Sequence, residues 1–363
     1  MTRVSQRLPD FPWDTLAEAR AAANAHPGGV VDLSVGTPVD PTPGIAREAL
    51  AAASDAHGYP TTWGTPALRA SIVDYLARRW GVADLSDRGV LPVIGTKEAV
   101  AWLPTQLGLG PDDLVVIPET AYPTYDVGAR LAGCRVQRCD DPAAVAGQPA
   151  LIWINSPANP HGAVADEALL ARWVAVARAN DAVLASDECY GEFGWEAEPV
   201  SALHPDLCGG EHTNLLVLHS TSKRSNLAGY RAGFIAGDVA LIAELLGVRK
   251  HSGMMLPTPV QAAMAAVLAD QRHVLEQRER YRRRRAQLAA ALLAAGFRID
   301  DSQGSLYLWV TRDEPCRATV AWFAARGILV APGDFYGVRG ARHVRVALTA
   351  TDERIAAAVQ RLA

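Results

Sequence analysis

Short apolar runs alternate with longer segments of helical periodicity from about residue 30 to residue 237. The runs cover residues 30–34, 89–94, 114–117, 151–155, 183–186 and 215–218, and several end in polar residues or a Gly turn. Strands alternating with helices in this way predict a mainly parallel sheet with helices on both faces. After Gly237-Asp238 the pattern predicts a helix through Val248, a basic loop over 249–257 and one long helix over 258–294. The remainder alternates again: strands at 306–310, 328–330 and 343–348, with a helix near 318–326, which reads as a smaller α/β domain. Residues 1–28 read as an arm that joins the small domain, with Pro9 and Pro12 and the aromatic Phe11 and Trp13; 29–272 form the large domain and 273–363 the small one.

Composition narrows the classes. At 363 residues and 49% hydrophobic, the chain buries a large core, and a net charge of −4 gives no general attraction to nucleic acid or anionic membrane. Five cysteines, an odd number without C-x-x-C spacing, fit reduced thiols better than disulfides or a zinc site, so no metal is expected. The first residues lack the apolar core of a signal peptide and no run reaches membrane-spanning length, so the expected location is cytoplasmic.

The chemistry concentrates at predicted strand ends, where open α/β sheets hold ligands. Ser220, Ser222, Lys223 and Arg231 fall within a dozen residues after the run at 215–218. Two hydroxyls and a guanidinium suit a phosphate, and an amine beside them suits a Schiff base to a carbonyl cofactor, a combination that suggests pyridoxal phosphate. The chain has only three lysines. Lys97 lies inside a predicted helix start and Lys250 in the basic loop, which leaves Lys223. Taken alone, the turn fits equally well a Ser-capped strand end with an ordinary lysine. Gly95-Thr96-Lys97 opens a helix directly after a strand, a layout that offers free N–H groups to an anion. Tyr122 could stack on a flat ring or pack on the core. Asp187, leaving a buried strand beside Tyr190, needs a cation such as a protonated pyridine nitrogen. Arg345 invites an anion or is an edge-strand arginine, and Gly36 permits close backbone approach or marks a plain turn. The Arg282 to Arg285 run reads as a solvated helix face.

In their order along the chain, Gly36, Tyr59, Gly95-Thr96-Lys97, Tyr122, Asn159-Pro160 with Gly162, Asp187 with Tyr190, Ser220-Thr221-Ser222-Lys223 with Arg231, and Arg345 make the sequence resemble the class I aminotransferases of the pyridoxal-phosphate fold type I superfamily. The resemblance implies that fold, with a mainly parallel, seven-stranded type of sheet, and pyridoxal 5′-phosphate as cofactor. It implies that Lys223 forms the Schiff base and then moves the proton at the substrate Cα, and that Asp187 keeps the pyridine nitrogen protonated. Tyr190 and Asn159 would bond the ring's phenolic oxygen and Tyr122 would stack on the ring. Ser220, Ser222, Arg231, Gly95, Thr96 and the Lys97 backbone would hold the phosphate, with Tyr59 reaching it from the other subunit of a homodimer. Arg345 would grip the substrate α-carboxylate, aided by Asn159 and the Gly36 backbone. His161 departs from the pattern, standing where many relatives carry threonine.

Residues 8–14 (Leu-Pro-Asp-Phe-Pro-Trp-Asp), 32–40, 186–190 and 331–337 resemble the actinobacterial succinyldiaminopimelate aminotransferases. That resemblance implies amino transfer between glutamate/2-oxoglutarate and N-succinyl-L,L-2,6-diaminopimelate, in lysine and diaminopimelate biosynthesis. The distal carboxylate of this substrate calls for a further cation, for which Arg249 and Lys250, with His251, are the candidates. An aspartate- or aromatic-type aminotransferase and a C–S lyase use the same cofactor residues and are the alternatives; a cofactor-sensing DNA-binding regulator would need a helix-turn-helix region.

Overall fold

The computed structural model describes residues 3–363. Its strands are β1 Val31–Asp32, β2 Val90–Val93, β3 Leu114–Ile117, β4 Arg135–Arg138, β5 Pro149–Asn155, β6 Val183–Asp187, β7 Leu215–Ser220, β8 Gly233–Gly237, β9 Arg298–Asp300, β10 Tyr307–Thr311, β11 Ile328–Leu329, β12 Ala331–Pro332 and β13 His343–Ala347. Seven of them form one sheet in the order β2-β8-β7-β6-β5-β3-β4, in which only β8 runs antiparallel to its neighbours. The inner strands are buried on both faces because their side chains alternate between two cores. Leu151, Trp153, Leu216 and Leu218 pack toward helices Thr96–Gln106, Thr124–Ala132 and Val239–Ser252. Ile152, Ile154, Leu215 and Val217 pack the other way, toward Pro66–Trp80, Glu167–Ala179 and Thr258–Ala269. β4 carries Arg135, Gln137 and Arg138 on the sheet's outer edge, a polar composition that hides it from a search for apolar runs.

A four-stranded antiparallel sheet, β12-β13-β10-β9, forms the smaller part with helices Cys316–Ala324 and Asp352–Leu362. The patterning counts β1 with the large domain. Its backbone pairs in parallel with β11, Val31 opposite Ile328, so it joins the C-terminal part. The arm runs through two 3-10 turns into helix Ala17–Asn24, and Trp13 packs on Phe335 with ring centroids 5.2 Å apart. Among the described residues no helix is long and apolar enough to cross a membrane.

Two further expectations need correction. The long helix over 258–294 is two, Thr258–Ala269 and Arg272–Ala294, separated where Asp270 turns extended and its carboxylate accepts from the His273 N–H. The Arg282 to Arg285 run is not wholly solvated. Arg284 is 3% exposed, bonded to both carboxylate oxygens of Asp40 (2.7 and 2.8 Å) and to Asp352 (2.6 Å), because a 3.6-residue period turns one of four successive positions inward.

Candidate active site

The C-terminal ends of β2, β3, β5, β6 and β7 lie along one edge of the large sheet, and a cavity of about 730 Å3 opens there against the smaller part. It gathers Gly36, Thr96, Lys97, Tyr122, Asn159, Asp187, Tyr190, Ser220, Ser222, Lys223, Arg231 and Arg345. Ser220 ends β7, and its hydroxyl accepts from the Ser222 N–H (3.1 Å), which tightens the turn that carries Lys223. The Lys223 ammonium donates to the Gly36 carbonyl, tying the two ends of the site together. Burial lowers the Lys223 pKa, and Arg345 and Arg231 add to the fall while Tyr307 and Cys189 oppose it.

Asp187 ends β6, 6% exposed. Burial raises its pKa, against two bonds that favour the carboxylate: one from the Tyr125 hydroxyl (2.7 Å) and one from the Cys189 N–H (3.2 Å). Removing an ion from water costs several kcal/mol, whereas a bond to a charged group returns about 1.5–3 kcal/mol. Two bonds leave this carboxylate close to balance, and among the described residues no Lys or Arg pairs with it. A protonated ring nitrogen would complete it. Tyr122 lies near, its hydroxyl pushed up to about 12 by burial, and its ring meets Tyr125 edge-on.

The far wall supplies anion donors. Helix Thr96–Gln106 starts at Gly95, whose φ of +93° is open to glycine and whose missing Cβ leaves room for the Arg231 guanidinium. Arg231 itself sits left-handed, φ +54°, with Nη1 donating to the Ala228 carbonyl (2.8 Å). Thr96, Ser220, Ser222 and Arg231 thus face one end of the cavity, as a phosphate requires.

Across from Lys223, Arg345 is 3% exposed in β13. Nη1 donates to Asn159 Oδ1 and Nη2 to the Ser34 carbonyl, each at 2.7 Å, and its Nε is buried without a partner. The guanidinium lies 4.0 Å over the Tyr307 ring, and the Tyr307 and Tyr190 hydroxyls are 2.7 Å apart. Asn159 is held in turn by Asn155, whose Oδ1 accepts from the Asn159 N–H (2.8 Å) while Nδ2 donates to the Asp187 carbonyl (2.8 Å).

Four expected site residues lie elsewhere. Arg249 is not in a loop: it is fully buried in the last turn of helix Val239–Ser252, with both terminal nitrogens on Glu98 (3.0 and 2.8 Å), and does not line the cavity. Its charge serves the packing of two helices. Lys250 and His251 are exposed on the same helix and also stand outside the cavity. Tyr59 is 98% exposed and away from this chain's own cavity. Conversely, Tyr125, Tyr307, Asn155 and the arm residues Phe11 and Trp13 meet the site without having been singled out for it.

Known proteins with this arrangement are numerous. The profile of the family described as "Aminotransferase class I and II" matches residues 28–362. A probable aminotransferase of Mycobacterium tuberculosis is 63% identical over 99% of this chain and 86% of its own length. The 4-dedimethylamino-4-oxo-anhydrotetracycline transaminase OxyQ of Streptomyces rimosus is 55% identical over 98% of this chain and 99% of its own. The Thermus thermophilus aspartate aminotransferase double mutant 1 superposes with a TM-score of 0.89 at 25% identity, covering 99% of this chain and 98% of that one. With strand ends, lysine, buried aspartate and anion cradle arranged as above, the chain belongs to the class I and II aminotransferases, pyridoxal-phosphate-dependent enzymes of fold type I.

Proposed function

We propose that this aminotransferase moves the amino group between glutamate/2-oxoglutarate and N-succinyl-L,L-2,6-diaminopimelate. When bound, pyridoxal phosphate supplies a carbonyl that condenses with amines and a ring that accepts electron density from the substrate Cα. Lys223 Nζ would be the amine that holds the cofactor's carbonyl and, when free, would take and return the substrate Cα proton. Asp187 would hold the proton on the ring nitrogen, Tyr190 and Asn159 would donate to the phenolic oxygen, and Tyr122 would pack on the ring. Thr96, Ser220, Ser222 and Arg231 hold the phosphate, with the Gly95 and Lys97 backbone at the helix start. Arg345, steadied by Asn159 beside the Gly36 backbone, takes the α-carboxylate bidentately. The exposure of Tyr59 suits a residue that completes the phosphate site of a second copy in a homodimer.

The observation that carries the substrate is a count of cations. Four line the cavity: Lys97, Lys223, Arg231 and Arg345. Attachment, phosphate and α-carboxylate use three, and the Lys97 ammonium remains at the mouth, 5.7 Å from the Phe11 ring centroid. Glutamate and the succinyl arm both end in a distal carboxylate, and Phe11, Trp13 and Val35 offer apolar surface for the methylenes between. Lys97 takes the place that the sequence reading gave to Arg249 and Lys250. Lys97→Met is expected to raise KM for glutamate and the succinylated substrate about tenfold, the lower end for a charge-assisted bond at an exposed site, and to leave KM for alanine in place. An equal change for alanine removes the assignment.

The decisive experiment mixes cofactor-loaded protein with N-succinyl-L,L-diaminopimelate and no keto acid. Bleaching of the visible band, with return on adding 2-oxoglutarate, is the expected result. Bleaching by glutamate alone ends the substrate proposal. The 55% identity to OxyQ and the aromatic wall of Phe11, Trp13 and Tyr122 favour one second reading, an acceptor whose ketone sits on a fused ring. Such a ketone, added to glutamate-bleached protein, would then restore the band.

The lowered Lys223 pKa gives a pH prediction. Only the neutral amine attaches to a carbonyl, and the neutral fraction grows as pH rises through the amine's pKa. Cofactor attachment to apo-protein should therefore accelerate with pH about a midpoint below that of an ordinary lysine. A midpoint at or above that value contradicts the burial argument.

A further inference from the structure

Lys223 and Arg345 come from different parts of the chain, the turn after β7 and strand β13. On the reading above they act on one substrate, so their separation has to be fixed by something that joins the two parts. The three residues directly after Lys223 all bond to the junction. Arg224 is 4% exposed and commits its whole fork. Nε donates to Glu192 (3.1 Å), Nη1 to the Val267 carbonyl (2.6 Å) and Ser225 Oγ (3.1 Å), and Nη2 to the Asp270 carbonyl (3.2 Å) and Gln271 Oε1 (3.3 Å). Val267, Asp270 and Gln271 end helix Thr258–Ala269 and form the break before Arg272–Ala294. Ser225 Oγ lies 2.9 Å from His273 Nε2, and His273 Nδ1 lies 2.5 Å from Asp270 Oδ2. Asn226 donates to Gln277 (3.2 Å), which donates to Asp40 (2.8 Å). Helix Arg272–Ala294 carries Tyr281, Leu288 and Leu292 into the core that also holds Val344 and Val346 on either side of Arg345.

Capping alone does not account for this. Carbonyls at a helix end are satisfied by water at little cost, whereas a buried guanidinium is expensive and here needs Glu192, itself shared with Arg79 and Tyr75. What the buried fork adds is a rigid, planar tie of fixed direction between the Lys223 turn and the junction.

We propose that Arg224 is a positioning residue for Lys223: its fork, continued by Ser225 and Asn226, holds the Lys223 turn in register with helix Arg272–Ala294, whose apolar face shares a core with the strand that carries Arg345. The proposal rests on the roles given to Lys223 and Arg345 above, not on the succinylated substrate. Its test therefore uses glutamate and the cofactor band alone. Arg224→Lys keeps a charge beside Glu192 and loses the fork. The variant is expected to melt cooperatively and bind cofactor, to shift the pH midpoint of the substrate-free visible band by about half a pH unit or more, and to slow the glutamate half-reaction about 10- to 100-fold, as misplacement of about 1 Å does. Hydrogen exchange in apo-protein should quicken over residues 221–226. A folded variant with an unchanged band midpoint and half-reaction, whatever its melting temperature, overturns the proposal. Should Arg224→Lys fail to fold, Ser225→Ala with Gln271→Ala, which leaves Arg224 and Glu192 paired, decides by the same two readouts. Loss of the band altogether on Lys223→Ala, with full turnover, would instead strike the reading of Lys223.

Discussion

Lys223→Ala is expected to fold like the parent and lose at least about 10⁴-fold in turnover. The stability half of this expectation follows from what the amine touches. Its hydrogen bond goes to the Gly36 carbonyl, and burial already disfavours its charge, so alanine removes a cost together with a bond. Cofactor should still bind through Arg231, Thr96 and the serines, but without a covalent link to the chain. Borohydride treatment followed by mass analysis reads this directly: the parent gains the cofactor's mass irreversibly and the variant does not. Turnover at a tenth of the parent rate or more would move the proton transfer to some other group.

Asp187→Asn is expected to cost about 10²- to 10⁴-fold in kcat, the consequence of losing about 3–5 kcal/mol when one partner of a buried ion pair is removed. Asparagine fits the same space: its Oδ1 can still accept from the Cys189 N–H while its Nδ2 donates to the Tyr125 hydroxyl, so folding should change little. Apo-protein should even gain stability at neutral pH. A carboxyl whose pKa is raised by burial stabilises the fold most when protonated, and that contribution fades as pH rises through its folded value. Asparagine keeps the neutral form at every pH. The comparison to make is melting temperature against pH for apo-protein, parent and variant, beside kcat for the loaded enzymes. An unchanged kcat removes the ring-nitrogen role; a parallel pH profile removes the burial argument.

Several of the cavity residues that could be read from sequence share one property: they stand at or just past the end of an apolar run, where the change of polarity is abrupt. Asp187, Ser220 and Thr96 are of this kind, and Lys223 stands out further because lysine is scarce in this chain. Tyr125 and Tyr307 escaped for the opposite reason. They lie near the start of a helix and of a strand, and nothing local distinguishes a buried tyrosine that packs from one whose hydroxyl meets Asp187 or Tyr190. Arg249 misled because basic residues in succession suggest a solvated loop, while its partner Glu98 lies 151 residues away. The helix break at Asp270-Gln271 carries no Gly or Pro; only an Asp three residues before His273, able to cap the next helix, could have signalled it. Arg284 and Asp40 show the same limit, since a pair that distant in sequence leaves no periodic trace.

The short parallel pairing of β1 with β11 also bears on how the protein is made. It is the strand from which the chain runs on to Gly36, and its partner is Ile328–Leu329. At 5–20 residues per second, a ribosome needs roughly 5–18 s to go from Gly237, where the last strand of the large sheet ends, to Leu329. Throughout that interval the large sheet can assemble with its Lys223 turn complete, yet the carbonyl that receives the Lys223 ammonium has no fixed place. A nascent chain stalled before residue 328 would thereby expose a reactive amine without the wall that governs it.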